Sequence, residues 1–85
     1  MKLNKLLKLT DEELYIDVKV DKDVPDCFKT LYKGCIKDIP DDSVINDADV
    51  KHFEPSDDEL KVEVYMDYAS IVINIADTLK GNNNA

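Results

Sequence analysis

The residues best suited to chemistry in this 85-residue chain are one histidine, His52, two cysteines, Cys27 and Cys35, and a large set of carboxylates. A thiol beside an imidazole is the minimum for nucleophilic catalysis, because the imidazole takes the proton that leaves a thiolate. No spacing ties His52 to either cysteine, and the plainer reading is a strand histidine with two thiols at the edge of the core. The same three residues fall one short of the four ligands of a structural zinc site.

The aspartates invite a cation site, but their spacing is wrong for one. Asp21, Asp23 and Asp26 do not follow the ligand positions of a calcium-binding EF-hand loop, and Asp47 and Asp49 are followed by His52 where that loop requires glycine. With Gly34 and Gly81 as its only glycines, the chain has no material for a glycine-rich phosphate loop. No catalytic residue, metal ligand or cofactor is assigned, and the chain is read as non-enzymatic.

Charge is more informative than any single group. Eleven cations face 19 acids, a formal net charge of −8, and every cation is a lysine. Without arginine there is no planar fork to grip phosphate or a guanine edge, and the net charge repels a nucleic-acid backbone. Direct nucleic-acid binding is therefore not expected, and a protein partner with a basic surface is. The charge is also unevenly placed. Residues 1–10 carry +3, residues 11–37 carry −2, residues 38–63 carry −8 and the remainder −1. The acids of the middle stretch are Asp38, Asp41, Asp42, Asp47, Asp49, Glu54, Asp57, Asp58, Glu59 and Glu63, all predicted on turns or outward strand positions. They form either a solvated face that keeps the protein dissolved or the candidate interaction surface.

One domain is expected at 1–80, with 81–85 as a disordered tail. "MKLNKLLKL" places leucines at 3, 6 and 7 between lysines, the pattern of a short amphipathic helix, and is too short and too interrupted for a signal peptide or membrane span. A cytoplasmic protein with free thiols follows, without membrane association. Thr10 and Glu13 have capping-box spacing, yet Ile16, Val18 and Val20 alternate with Asp17 and Lys19, so a strand is expected from Leu14 to Val20 with a lead-in turn before it. A second strand is expected over Cys27–Lys33, in a hairpin with the first.

"LYKGCIKDIPDD" reads as a corner. Gly34 suits a bend or bulge, Ile36 and Ile39 pin the crossing to the core, and Pro40 opens one helical turn with Val44 and Ile45 buried. Val50 to Phe53 then forms a short strand and "EPSDD" a turn. Leu60, Val62, Val64 and Met66 point inward from the most regular strand, alternating with Lys61, Glu63, Tyr65 and Asp67. Tyr68, Ile71, Val72, Ile75, Ala76 and Leu79 fall on a helical stripe that Asp67 caps and that Lys80 and Gly81 terminate, although "IVINI" could also make a fifth strand at 70–76. Ile73 lies off that stripe and is the candidate residue for self-association in a possible homodimer.

"LYKGCIKDIPDD" followed by "DVKHFEPSDDELKVEVY", over residues 31–65, resembles small uncharacterised acidic proteins of Gram-positive phages and mobile elements. The shared pattern is an aromatic-x-Gly run, an Asp-Ile-Pro corner, a valine strand, an acidic turn and a Leu-x-Val-x-Val strand. The resemblance implies a role in binding host or phage machinery and supplies no site residues. The expected architecture is α+β: a small antiparallel sheet of about four strands with a short N-terminal helix and a C-terminal helix, the alternative being mainly β with the fifth strand. The expected function is an accessory or inhibitor protein acting through its acidic surface, the alternative a structural protein that self-associates through the C-terminal apolar segment.

Overall fold

The structure is a computed structural model that describes residues 1–83. Four strands, β1 (Tyr15–Val20), β2 (Thr30–Cys35), β3 (Asp49–Pro55) and β4 (Glu59–Tyr65), form one sheet in the order β2–β1–β4–β3. Helix α1 (Leu3–Lys8) and helix α2 (Tyr68–Asn83) add their buried leucines and isoleucine to a single core on one side of this sheet. The α+β architecture is the expected one, and residues 70–76 are helical, so there is no fifth strand there.

The alternating residues behave as their period dictates. Ile16, Val18 and Val20 of β1 and Leu60, Val62 and Val64 of β4 are all buried, and β1 and β4 are the two central strands. Leu3 and Leu6 of α1 and Ile71 of α2 complete the core. Burial of such aliphatic side chains contributes on the order of 2 kcal/mol each.

The sheet is mixed rather than wholly antiparallel. β2 pairs antiparallel with β1 and β3 antiparallel with β4, but the central pair β1 and β4 is parallel, with Tyr15 opposite Glu59 and Val20 opposite Val64. The cause is the segment after β2. A tight corner would start β3 at the end of the sheet where β2 stops, giving an antiparallel meander. Instead residues 36–48 run the length of the sheet over its buried face, with Ile36, Ile39, Ile45 and Ala48 in the core. β3 therefore starts at the opposite end and descends in the same direction as β2, which makes β4 rise alongside β1. The crossing contains two 3-10 turns, at Ile36–Asp38 and Val44–Asp47, and the second stands in place of the expected turn begun by Pro40, with Ser43 capping it by accepting from the Ile45 N–H.

β2 starts later than expected, since Cys27 lies in a 3-10 turn at Asp26–Phe28. Gly34 is opposite Ile16 within β2, and the bulge falls elsewhere: Val18 pairs with Tyr32 and Lys19 with Thr30, leaving Leu31 as the extra residue. Gly34 has a φ of +158°, and a Cβ built there would lie 2.9 Å from the Tyr32 hydroxyl. That hydroxyl donates to the Cys35 carbonyl at 2.7 Å, so the tyrosine folds over the glycine and ties the end of the strand.

The bulge also seats α2. Asn74, only 8% exposed, donates from Nδ2 to the Leu31 carbonyl at 3.1 Å. This bond selects the helical face that carries Ile71, Asn74 and the partly buried Ile75, so Tyr68, Val72, Ala76 and Leu79 of the expected stripe are exposed instead. Asp67 caps the helix as expected, accepting from the Ser70 N–H at 2.7 Å. The helix continues through Gly81 to Asn83, since one glycine near a helix end costs about 1 kcal/mol without breaking the hydrogen-bond ladder. The last two residues of the expected tail lie outside the described residues.

Two substitutions test these joints. Asn74→Ala leaves the Leu31 carbonyl without its donor and is expected to lower unfolding free energy by about 1–3 kcal/mol in urea denaturation. Gly34→Ala displaces the Tyr32 ring and strains the backbone at a φ of +158°, and is expected to cost about 1–2 kcal/mol, of which only the part due to the ring is absent when Tyr32→Ala has already removed it.

Candidate functional site

The register of the strands sorts the ten candidate acids into three places. Running β1 upward, its start, the end of β2 and the tip of the β3–β4 hairpin all lie at the lower end of the sheet. Glu59 is opposite Tyr15 there, and Asp57 and Asp58 form the exposed hairpin tip just before it. The end of β2 leads directly into Asp38, while the Ile36 and Lys37 N–H groups donate to the Leu14 and Glu12 carbonyls. That pairing brings Asp11, Glu12 and Glu13 to the same end. Asp41, with Asp42 exposed beside it, shares an open cleft of about 600 Å³ with Glu12, Lys8 and Lys37.

The upper end holds Asp47 and Asp49. They line an open cleft of about 510 Å³ with Asp21, Lys22 and Asp67 at the start of α2. Glu54 and Glu63 occupy neither end. They belong to the uncovered face of the sheet, in a shallow depression of about 180 Å³ with Asp17, Lys19, His52 and Lys61. Thus a run of acids that is continuous in sequence is discontinuous in space.

Salt bridges neutralise these groups unequally. Asp49 pairs with Lys2 at 3.2 Å, and Lys51 bridges Asp21 at 2.9 Å and Glu63 at 3.2 Å. Hydrogen bonds to Asp21 and then Glu63 raise the Lys51 pKa well above its ordinary value. Glu13 pairs with Lys37 at 3.2 Å, and that hydrogen bond raises the lysine pKa. Among the described residues, no ion pair engages Asp38, Asp41, Asp42, Asp57, Asp58 or Glu59. The unpaired negative charge is therefore concentrated at the lower end, and exposed pairs elsewhere hold only weakly.

Asp11, Glu12 and Glu13 are the acids that a linear charge tally misses. Their stretch of sequence also contains five lysines, and only the pairing of 12–14 with 36–37 moves them to the acidic end. The signal was present in the Asp-Glu-Glu run before β1, where the Asp11 carboxylate accepts from the Glu13 N–H at 3.0 Å and shapes the lead-in turn. Thr10 does not cap that turn; its hydroxyl donates back to the Leu6 carbonyl and closes α1.

The histidine and cysteines are not assembled. His52 is on β3 and Cys35 on β2, the two edges of the sheet, separated by three strand spacings or about 14 Å. The nearest acid to His52 is Glu63, with an oxygen 3.7 Å from Nδ1. Cys27 is an exposed free thiol and Cys35 a half-buried one. Among the described residues, no three His, Cys, Asp or Glu side chains are grouped to hold a metal ion. Burial, with the nearby Asp38 charge, raises the Tyr32 pKa, which keeps its hydroxyl protonated to donate. Asp17 is the one carboxylate buried in the uncovered face, flanked in register by Lys33 and Lys61.

The cap at Asp67 yields a pH test. The Ser70 N–H, then the Ser70 hydroxyl, lower the Asp67 pKa. A carboxyl depressed in the folded state stabilises at pH values above its unfolded pKa, and the contribution is lost as pH falls through the folded value. Asp67→Asn is expected to melt below the unchanged protein at pH 7, with the gap closing by about pH 2–3. Thermal melts followed by circular dichroism at both pH values check this; a gap of constant size would show that the carboxylate's charge is not what stabilises the helix end.

No helix among the described residues is long and apolar enough to cross a membrane. No family model, no curated protein and no solved structure matches this chain.

Proposed function

We propose that this chain is a non-enzymatic protein-interaction module that docks its acidic lower end on a basic protein surface. The observation that carries this reading is the convergence of Asp38, Asp57, Asp58 and Glu59 with Asp11, Glu12 and Glu13 at one end of the sheet, where Glu13 alone of these is held in a salt bridge. Carboxylates left unpaired on one end create a directional negative field, which steers a basic partner and fixes its orientation. Asp47, Asp49, Glu54 and Glu63 take no part in that contact, because they lie at the far end or on the uncovered face and two of them are already paired.

The setting proposed is cytoplasmic, as an accessory or inhibitor protein of a phage or mobile element. The resemblance over residues 31–65 supports that setting, and the absence of arginine together with the −8 charge supports a protein partner over nucleic acid itself. A basic groove that ordinarily holds nucleic acid is the kind of surface such an end fits.

The test is capture of a partner from a Gram-positive bacterial lysate on immobilised protein at about 50 and 500 mM salt, where the screening length shortens about threefold. The Asp57→Lys, Asp58→Lys double variant serves as the control, since both residues are exposed at the hairpin tip. One retained protein that is lost at high salt and not captured by the variant is the expected result. A partner held equally by the variant, or held without regard to salt, refutes docking through the acidic end.

A further inference from the structure

Helix α2 has two apolar faces and the fold uses one. Ile71, Asn74 and Ile75 turn toward the core, and on the opposite side Ala69, Val72, Ile73 and Ala76 are exposed, with Leu79 along the edge. Val72 is 63% exposed, Ile73 50% and Leu79 58%, high values for branched aliphatic side chains that are adjacent on one helix. A solvated helix normally carries charge on its outer face. From Tyr68 to Leu79 this one carries a single charged residue, Asp77, in a chain that is 35% charged, and Lys80 follows it in the same helix.

We propose that this outward face of α2 pairs the protein with a second copy of itself, the two helices antiparallel about a two-fold axis near Val72, Ile73 and Ala76. The inference is independent of the acidic docking surface. Two observations favour a second copy over a different protein, and a third sets the direction of the pair. The face is nearly uncharged, so it offers nothing to a basic partner, whereas two copies at −8 each can meet without facing like charges only on such a surface. α2 starts at the upper end of the sheet and is bonded to Leu31 at the start of β2, away from the hairpin tip, so pairing there keeps the two acidic lower ends apart.

The third observation concerns direction. The start of α2 has Asp21, Asp47, Asp49 and Asp67 around it with Lys22, and although Asp21 and Asp49 are bridged to Lys51 and Lys2, Asp47 and Asp67 are in no salt bridge among the described residues. An antiparallel pair sets each acidic start against the far end of the other helix, while a parallel pair would bring the two starts together. Ala69 and Ala76, seven residues apart, are exposed on the same face and leave room for close approach of the helix backbones. The exposed apolar area offered is on the order of 400 Å² per protomer, about half of what a standard interface takes from each partner, so the pair should be weak and concentration-dependent. Such a pair would carry two acidic ends pointing outward and would grip a repeated basic partner more tightly than either end alone.

Sedimentation equilibrium from about 10 µM to 1 mM, at 0.1 and 0.5 M salt, tests the proposal. The expected mass rises from 9.7 kDa toward twice that value with concentration, with a dissociation constant in roughly the tens to hundreds of micromolar. Salt should strengthen the pair by screening the −8 charges, the opposite of its effect on acidic docking. Ile73→Asp and Val72→Lys should each weaken pairing at least tenfold, and Asp57→Lys with Asp58→Lys should leave it intact. Should either helix variant fail to fold, concentration-dependent amide shifts of the unchanged protein decide the matter, with movement expected over residues 69–79. A monomer at 1 mM in 0.5 M salt, a dimer that persists in both folded variants, or shifts confined to another surface overturns the proposal.

Discussion

Everything in this structure depends on a crossing that spans the sheet from end to end. Residues 36–48 leave β2 at the lower end and reach β3 at the upper, pressed onto the core by Ile36, Ile39, Ile45 and Ala48, of which Ile45 is 1% exposed. Because the crossing is long, the two hairpin-like pairs come together with β1 and β4 parallel, and parallel strands need a connection of that kind. The crossing also seats the flanking helices. The Leu3 N–H donates to the Ala48 carbonyl at 2.9 Å, the Val50 N–H to the Met1 carbonyl at 2.8 Å, and both α1 and α2 pack against the 3-10 turn at Val44–Asp47.

That constraint distributes the charge. A segment that travels the full length of the sheet carries its acids with it, so Asp38 stays at the lower end while Asp47 and Asp49 arrive at the upper. The hairpin that follows then returns Asp57, Asp58 and Glu59 to the lower end. Upper-end acids meet Lys2, Lys22 and Lys51, whose side chains are close enough to bridge them or share their cleft. Lower-end acids have Lys8 and Lys37 in the cleft beside Asp41, but Glu13 alone of them is held in a salt bridge among the described residues. The uneven charge in space is therefore a consequence of topology more than of composition.

Period and turn chemistry made much of the fold legible. Leucine spacing located α1, strict alternation located β1 and β4, and Asp67 marked the start of α2 where its carboxylate does accept the Ser70 N–H. What could not be read was whatever depends on pairing between distant residues. The parallel centre follows from where a crossing ends, which no local pattern states. Gly34 read as a bend because glycine favours one, while its actual task is to leave space for the Tyr32 ring two residues away. The choice between two apolar faces of α2 involves tertiary bonds that no local pattern states, from Asn74 to the carbonyl that a bulge exposes and from the Tyr68 hydroxyl to the Asp23 carbonyl. As for the candidate surface, six of the ten acids fall at or beside one end, and the three that join them from before β1 were hidden among lysines.

Asn74 also explains why the outward face of α2 is as apolar as it is. The helix has apolar residues on both sides, so hydrophobic burial alone favours neither strongly, and the polar bond breaks the tie. A buried amide with a satisfied carbonyl contributes modest net stability, but the flipped helix would bury Val72 and Ile73 and leave the Leu31 carbonyl without a donor, a cost of about 1–3 kcal/mol. The bonds from Asn74 to the Leu31 carbonyl and from the Tyr68 hydroxyl to the Asp23 carbonyl both hold the helix in this orientation. The side turned outward keeps its aliphatic residues, and it does so on the least charged segment of an otherwise strongly acidic molecule. Acidic ends repel one another and attract bases, whereas the helix face is indifferent to charge and responds to apolar contact. As proposed, the acidic end would lose its partner with rising salt and the helix face would not, and because the two lie apart on the molecule, occupying one would leave the other accessible.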